Sequence, residues 1–268
     1  MSLGPRSDSS ANASIQGLKR PGPGLLAPFG KGFCASCWES TPELKAAAVM
    51  QRLKTRVEGL DDLMEGGLVR GDIHLVAGGP GTGKTVLSAN IAYNAATAGE
   101  NVVYATFEES AEYLRRNLKL LGLDVVPLEK EGKFSIVDLE ALKGQQLETN
   151  ISTLIQATKD SKGTLLVIDS VTALLLACET QFEMRTFMKS VYTSLKAEGI
   201  TTILTASLAN GGKIGFEGFM TDSVMLMENW EDEVQMKTRF VILKMRGTNH
   251  SKRYHSVVFG PKFAVSRF

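Results

Sequence analysis

Cysteine is scarce: the 268-residue chain carries three. Cys34 and Cys37 form a C-x-x-C pair, but no second pair or nearby histidine completes the four ligands of a structural zinc site. Cys178 stands alone beside the apolar run "TALLLA" and reads as a small core residue. This usage fits a reducing cytoplasm. Long hydrophobic runs are also missing. No apolar stretch reaches the ~18–20 residues needed to span a bilayer, so no membrane association is expected. The N-terminus lacks the continuous apolar segment of a secretory signal. Excess charge of either sign is absent, with a formal net charge of +1. That gives no support for a broad nucleic-acid-coating surface, although a local basic groove stays open.

What is present changes character along the chain. Five of the eight prolines fall in the first 42 residues, among Gly, Ser and Asn. Such a composition buries too little apolar surface to offset chain ordering, so residues 1–41 are expected to be a disordered tail. Residues 42–268 are expected to form one domain. "TPELKAAAVMQRLK" (41–54) has the capping and first-turn residues of a helix.

From residue 54, apolar runs at 73–77, 101–107, 134–139, 164–169 and 200–206 alternate with segments of helical spacing at 84–98, 110–121, 148–160 and 182–198. In the last segment Phe182, Phe187, Val191, Tyr192 and Leu195 approximate one face. The alternation predicts an α/β fold, a mostly parallel sheet flanked by helices on both sides. After residue 222, "SVMLME", "TRFVILKMR" and "YHSVVFG" read as strands with short links. They predict antiparallel strands at the C-terminal edge.

"GGPGTGKT" fits the G-x-x-x-x-G-K-[ST] phosphate loop and lies between a strand and a helical segment, the context that gives the motif meaning. Glycines let successive backbone N–H groups curl around phosphate oxygens, and the helix start adds positive potential. The predicted ATP-binding set is Gly78, Gly79, Pro80, Gly81, Thr82, Gly83, Lys84, Thr85 and Val86. Lys84 reaches the β- and γ-phosphates, and the Thr85 hydroxyl serves Mg²⁺. "TLLVIDS" ends a buried run in Asp169, the second expected Mg²⁺-side oxygen donor, with Ser170 beside it. "NVVYATFEES" ends in Glu108 and Glu109 at the end of a strand where ligands of open α/β sheets sit. One of the two is expected to position the attacking water; the sequence does not choose between them.

Late in the chain, "FVILKMRGTNHSKRYHSVVFG" runs four apolar residues into Lys244 and Arg246, whose two-residue spacing points both cations to one side of a strand. Together with "TRVEGLDDLMEGGLVRGDIHLVAGGPGTGKT", "YATFEES" and "LLVIDSVTAL", this stretch resembles the KaiC-like branch of RecA-type ATPases over roughly residues 54–260. The resemblance implies a RecA-type P-loop NTPase core that forms rings, usually hexamers, with ATP at subunit interfaces. It implies that Lys244 and Arg246, with His250 nearby, face the ATP of the neighbouring subunit. His74 and His255 lie within strand patterns and read as structural.

The chain departs from that family in carrying one such domain rather than two, and no Ser-Thr pair follows the late basic motif. No clock-type autokinase is therefore expected. Only Ser207 follows the run at 200–206, where relatives often carry an acid or amide. The leading expectation is a slowly hydrolysing Mg-ATPase that signals through assembly to an unknown partner. Two alternatives stay open: an ATP-controlled DNA-binding recombinase using the Gly-rich loop "LANGGKIGFEGFMT", and a nucleotide-binding regulator with negligible turnover.

Overall fold

Val, Ile and Leu runs too short for helices and apolar on both faces become the central strands of a sheet. The computed structural model describes residues 50–139, 145–208, 213–260 and 262–267. The expected tail and the helix proposed from residue 41 lie outside them as far as residue 49. Residues 50–54 are extended rather than helical: β1 (Arg52–Leu53) pairs antiparallel with β2 (Leu68–Val69). The Arg52 guanidinium holds that chain path by donating to the Met64 and Gly67 carbonyls, at 2.8 and 3.0 Å.

The main sheet has nine strands. Its parallel part holds β3 (Ile73–Gly78), β4 (Val102–Thr106), β5 (Phe134–Asp138), β6 (Leu165–Asp169), β7 (Thr201–Ser207) and β8 (Ser223–Asp232). Antiparallel β9 (Gln235–Met245), β10 (His255–Val258) and β11 (Ala264–Arg267) extend one edge. The order is β11-β10-β9-β8-β3-β7-β6-β4-β5. The expected antiparallel strands are present: β8, β9, β10 and β11 pair antiparallel in succession, while β8 also runs parallel to β3. The link before β8 is long enough to return the chain to the starting edge of the sheet, which a short hairpin link is not.

Two cores cover the two faces. Alternation along β3 sends Val76 to one side and Leu75 and Ala77 to the other. The first core is closed by α1 (Lys84–Thr97) and α2 (Ala111–Leu120), through Leu87, Ile91, Leu114 and Leu118. Helix α3 (Val126–Lys130) follows. The second core is closed by α4 (Gln145–Asp160), α5 (Val171–Leu176) and α6 (Gln181–Glu198), through Ile151, Leu154, Leu174, Phe187, Val191 and Leu195. Helix α7 (Glu217–Met220) precedes β8.

On α6, Phe187, Met188, Val191 and Leu195 form the buried stripe, and Phe182 is 78% exposed. Phe182 lies in the first turn, ahead of the point where the helix meets the sheet, so periodicity alone overextends the stripe. Cys178 is half-buried against the second core. No helix among the described residues is long and apolar enough to cross a membrane.

Candidate functional site

The phosphate loop leaves β3 at Gly78 and enters α1 at Lys84, with Gly83 as N-cap in the left-handed region at φ 89°. Two glycines are demanded by contact. A Cβ on Gly78 would lie 2.5 Å from both the Met227 carbonyl oxygen and the Thr82 hydroxyl. A Cβ on Gly83 would lie 2.5 Å from the Phe259 ring. Thr82 is buried and donates to the Gly79 carbonyl at 2.9 Å, tying the loop across its own mouth. Pro80 and Gly81 are exposed at its tip. The Lys84 amine also donates to the Gly79 carbonyl at 2.9 Å. Thr85 and Val86 open α1, the Val86 carbonyl accepting from the Asn90 amide at 2.8 Å.

Lys84 lies beside two acids from neighbouring strand ends. Burial pushes its amine down from the ordinary lysine value, while the charges of Asp169 and Glu108 push it back up. Asp169 ends β6 and is held on both oxygens. The Tyr104 hydroxyl donates to Oδ2 at 2.8 Å, and the Thr205 hydroxyl donates to Oδ1. Burial, then the Asp169 charge, raise Tyr104 well above the ordinary phenol value, so it stays a donor. Each Asp169 oxygen keeps a further lone pair for another partner. The buried Ser170 hydroxyl donates to Glu108 Oε1 at 2.5 Å and also caps α5.

The two glutamates diverge in the bend that follows β4. Glu108 faces Ser170 and Lys84. Glu109 turns to α2, where the Asn117 amide approaches Oε2 at 3.5 Å. Its backbone is fixed by Thr106, whose hydroxyl donates to the Glu109 carbonyl and accepts from its N–H at 2.9 and 3.2 Å. Burial raises the Glu109 carboxyl above its ordinary value; Asn117 opposes this, and the Asp169 and Glu108 charges add to it.

Lys84, Thr85, Glu108, Glu109 and Asp169 thus converge at the C-terminal ends of β3, β4 and β6. Lys244, Arg246 and His250 do not join them. Gly78 is opposite Met227, which is opposite Phe240; Leu75 is opposite Val224, which is opposite Lys244. The late cations therefore lie toward the starting edge of β3, roughly 10–17 Å along the strands from the phosphate loop of their own chain. A bulge at Val224/Met225 sets that register. The Lys244 amine donates to the carbonyls of Gly218, Phe219 and Thr221. Arg246 pairs with Asp222 at 3.0 Å. His250 Nδ1 meets the Ser251 carbonyl at 3.0 Å and so carries its proton there.

His74 is fully buried and structural: Nε2 donates to the Val69 carbonyl at 3.0 Å, leaving Nδ1 to accept from the Ser223 hydroxyl at 2.7 Å. His255 is likewise buried, with Nε2 at 2.8 Å from the Ser251 hydroxyl. Sequence reasoning missed Tyr104, Thr205 and Thr106. Their only trace is a polar group at alternate positions of a buried strand. Ser207, opposite Gly78 in the sheet, receives no special partner: its N–H donates to the Thr172 hydroxyl at 2.8 Å.

Comparison with known proteins adds four findings. The family model "ATPase: KaiC" matches residues 53–263. A UPF0273 protein of Thermotoga maritima is 31% identical over 225 residues, covering 77% of this chain and 92% of that one. The circadian clock oscillator protein KaiC of Thermostichus vulcanus is 32% identical over 226 residues, which is 80% of this chain and 44% of the clock protein. The chain thus matches less than half of that relative's length. Among solved structures, a KaiC-like protein from Pyrococcus horikoshii OT3 shares the fold with a TM-score of 0.74 at 33% identity, over 81% of this chain and 99% of that chain. The family match takes in both the phosphate loop and the late basic strand, and the chain therefore belongs to the KaiC family of RecA-type ATPases.

Proposed function

We propose that this protein binds ATP with Mg²⁺ and hydrolyses it slowly, in an assembly where Lys244 and Arg246 of one subunit meet the nucleotide of the next. The observation that carries the reading is the Lys84 amine flanked by Glu108 and Asp169 beside a glycine-rich helix start. Backbone N–H groups of 81–85 and Lys84 bind the phosphates. Among the described residues no cluster of three or more His, Cys, Asp or Glu could hold a metal by itself. That suits Mg²⁺, which takes few protein oxygens and fills its shell with water and phosphate. Thr85 and Asp169 are hard oxygen donors of the right kind. The metal, when bound, neutralises phosphate charge.

Glu108 is assigned as the group that orients the attacking water, with Ser170 holding one of its oxygens. Glu109 is assigned to shaping the turn, because its contacts are with α2 and Thr106. Lys244 and Arg246 cannot reach their own phosphate loop. Supplied by a neighbour, they would stabilise charge on the transferring phosphoryl group. A hexameric ring is the closed assembly proposed, and assembly is the signal offered to a partner.

Phosphate release from wild type and Lys84→Ala tests the enzyme. A fall of about 10²–10³-fold is expected on losing such a cation; equal rates overturn the proposal. Mixing Arg246→Ala with Lys84→Ala protein tests the shared site. Mixed assemblies should regain activity, since some interfaces combine an intact Lys84 with an intact Arg246. Mixing without recovery argues against cations acting between subunits.

A further inference from the structure

Asp222 precedes β8, and its side chain is 6% exposed. Four donors fill its two oxygens. Oδ1 accepts from Arg246 Nη1 at 3.0 Å and from the Tyr192 hydroxyl at 3.1 Å. Oδ2 accepts from the Ile73 backbone N–H at 3.0 Å and from Lys196 at 3.1 Å. Its main chain is tied as well: Asp222 N donates to the Ile73 carbonyl at 2.9 Å, and the Asp222 carbonyl accepts from Arg246 N at 3.1 Å. Lys196 is itself held by Asp72 at 2.6 Å and the Gly71 carbonyl at 3.2 Å. The carboxylate is therefore fixed to the start of β3 by both backbone and side chain.

Arg246 differs from the other three donors. Its side chain is 52% exposed, and among the described residues only Nη1 of its fork is engaged. One end of the guanidinium is anchored, and the other remains available for a second acceptor. A free arginine side chain loses rotamer entropy when fixed. The Asp222 contact supplies part of that ordering before any nucleotide arrives. Charge balance favours the same role. Asp72 and Asp222 offset Lys196 and Arg246, and Lys244, docked on the Thr221 carbonyl one residue before Asp222, leaves the cluster with an excess of positive charge.

We propose that Asp222 is the positioning residue that holds Arg246 in the pose in which it meets the phosphates of the neighbouring subunit's nucleotide. The proposal rests on the reading that Arg246 acts between subunits, and the experiment separates the two. ATP turnover is measured for wild type, Arg246→Ala, Asp222→Asn and the double variant, with thermal melting and mass as controls. An asparagine at 222 that keeps accepting from Ile73 and Lys196 presents its NH₂ to Arg246, donor against donor, and releases it.

Asp222→Asn is expected to lower kcat about tenfold, with KM for ATP within about twofold. The double variant is expected to be no slower than Arg246→Ala, because the two residues act as one unit. If Arg246→Ala turns over like wild type, the intersubunit reading fails and takes this proposal with it. If Arg246→Ala is slow while folded, assembled Asp222→Asn keeps the wild-type rate, only the positioning role is overturned. Effects that multiply in the double variant also overturn it. Arg246→Lys leaves the buried carboxylate untouched and provides a second test. Its single nitrogen lacks the spread of the guanidinium fork and cannot stay on Asp222 while reaching a phosphate on the far side, so its rate should fall close to that of Arg246→Ala; a wild-type rate contradicts the proposal.

Discussion

At the residue scale, the site depends on a few side chains whose surroundings decide between near-identical chemistries. Glu108 and Glu109 are adjacent carboxylates, yet one faces Ser170 and Lys84 and the other faces Asn117. Glu108→Gln is expected to cut turnover by about 10²–10³-fold, and Glu109→Gln by less than about tenfold. Phosphate-release assays that rank them the other way would reverse the assignment. Gly83 is a second case. Gly83→Ala meets the Phe259 ring and a backbone at φ 89°. The left-handed backbone alone costs about 1–2 kcal/mol, so melting should drop by about 2–8 °C. Phe259→Leu in the same chain should recover only the part due to the ring.

His74 supplies a pH prediction. Burial lowers its pKa below 6.5, against the Val69 bond and the charges of Asp72 and Asp222. Below that value the unfolded chain takes up a proton that the folded one resists. Stability therefore falls as pH drops through about 6.5, by at most about 1.4 kcal/mol per pH unit. Denaturant titrations from pH 7.5 to 5 should show this component in wild type and not in His74→Gln; parallel curves would refute it.

At the scale of elements, capping and register matter most. Helix α6 begins with a reciprocal capping box: Thr180 accepts from the Glu183 N–H, and Glu183 accepts from the Thr180 N–H. It ends at Gly199 in the left-handed region. Thr180→Ala should cost about 1 kcal/mol without changing turnover, because the cap lies away from Lys84. The extent of α6 was legible from its apolar spacing, whereas the exposure of Phe182 at its first turn was not. The phase of an amphipathic pattern does not say where the partner surface stops. β8 forms the expected antiparallel pair with β9, and its parallel pairing with β3 follows from where the preceding chain returns. Lys244 owes its position to the bulge opposite Val224/Met225, an irregularity with no sequence signature at that point.

At the scale of the whole molecule, the two groups of residues proposed to act on the nucleotide sit at different ends of one sheet. Lys84, Glu108 and Asp169 lie at the finishing ends of the parallel strands, and Lys244 and Arg246 lie toward the starting edge. A single subunit cannot bring them together without unzipping β8 and β9. Joining copies side by side is the economical way to complete the site. Mass measurement with and without ATP is expected to show a discrete multimer favoured by nucleotide. A persistent monomer that hydrolyses ATP at the full rate would contradict the shared site. Titration with single-stranded DNA in ATP is expected to show no retention at about 150 mM salt, since strong binding needs several phosphate contacts and the net charge is only +1.

The sequence by itself determined the alternation of strands and helices, the phosphate loop, and the acids at strand ends. These are local matters: period, glycine spacing, and a charged residue closing an apolar run. Only the tertiary structure decided the partners of those acids. Tyr104 and Thr205 come from separate strands and meet at Asp169 because β4, β6 and β7 are neighbours. Asp222 binds Arg246, Tyr192, Lys196 and the Ile73 N–H because the fold brings three distant segments onto one carboxylate. The basic motif was readable as two cations facing one way. That they face away from their own nucleotide loop is a consequence of register and strand direction, which arise from pairing between distant segments and leave no local pattern.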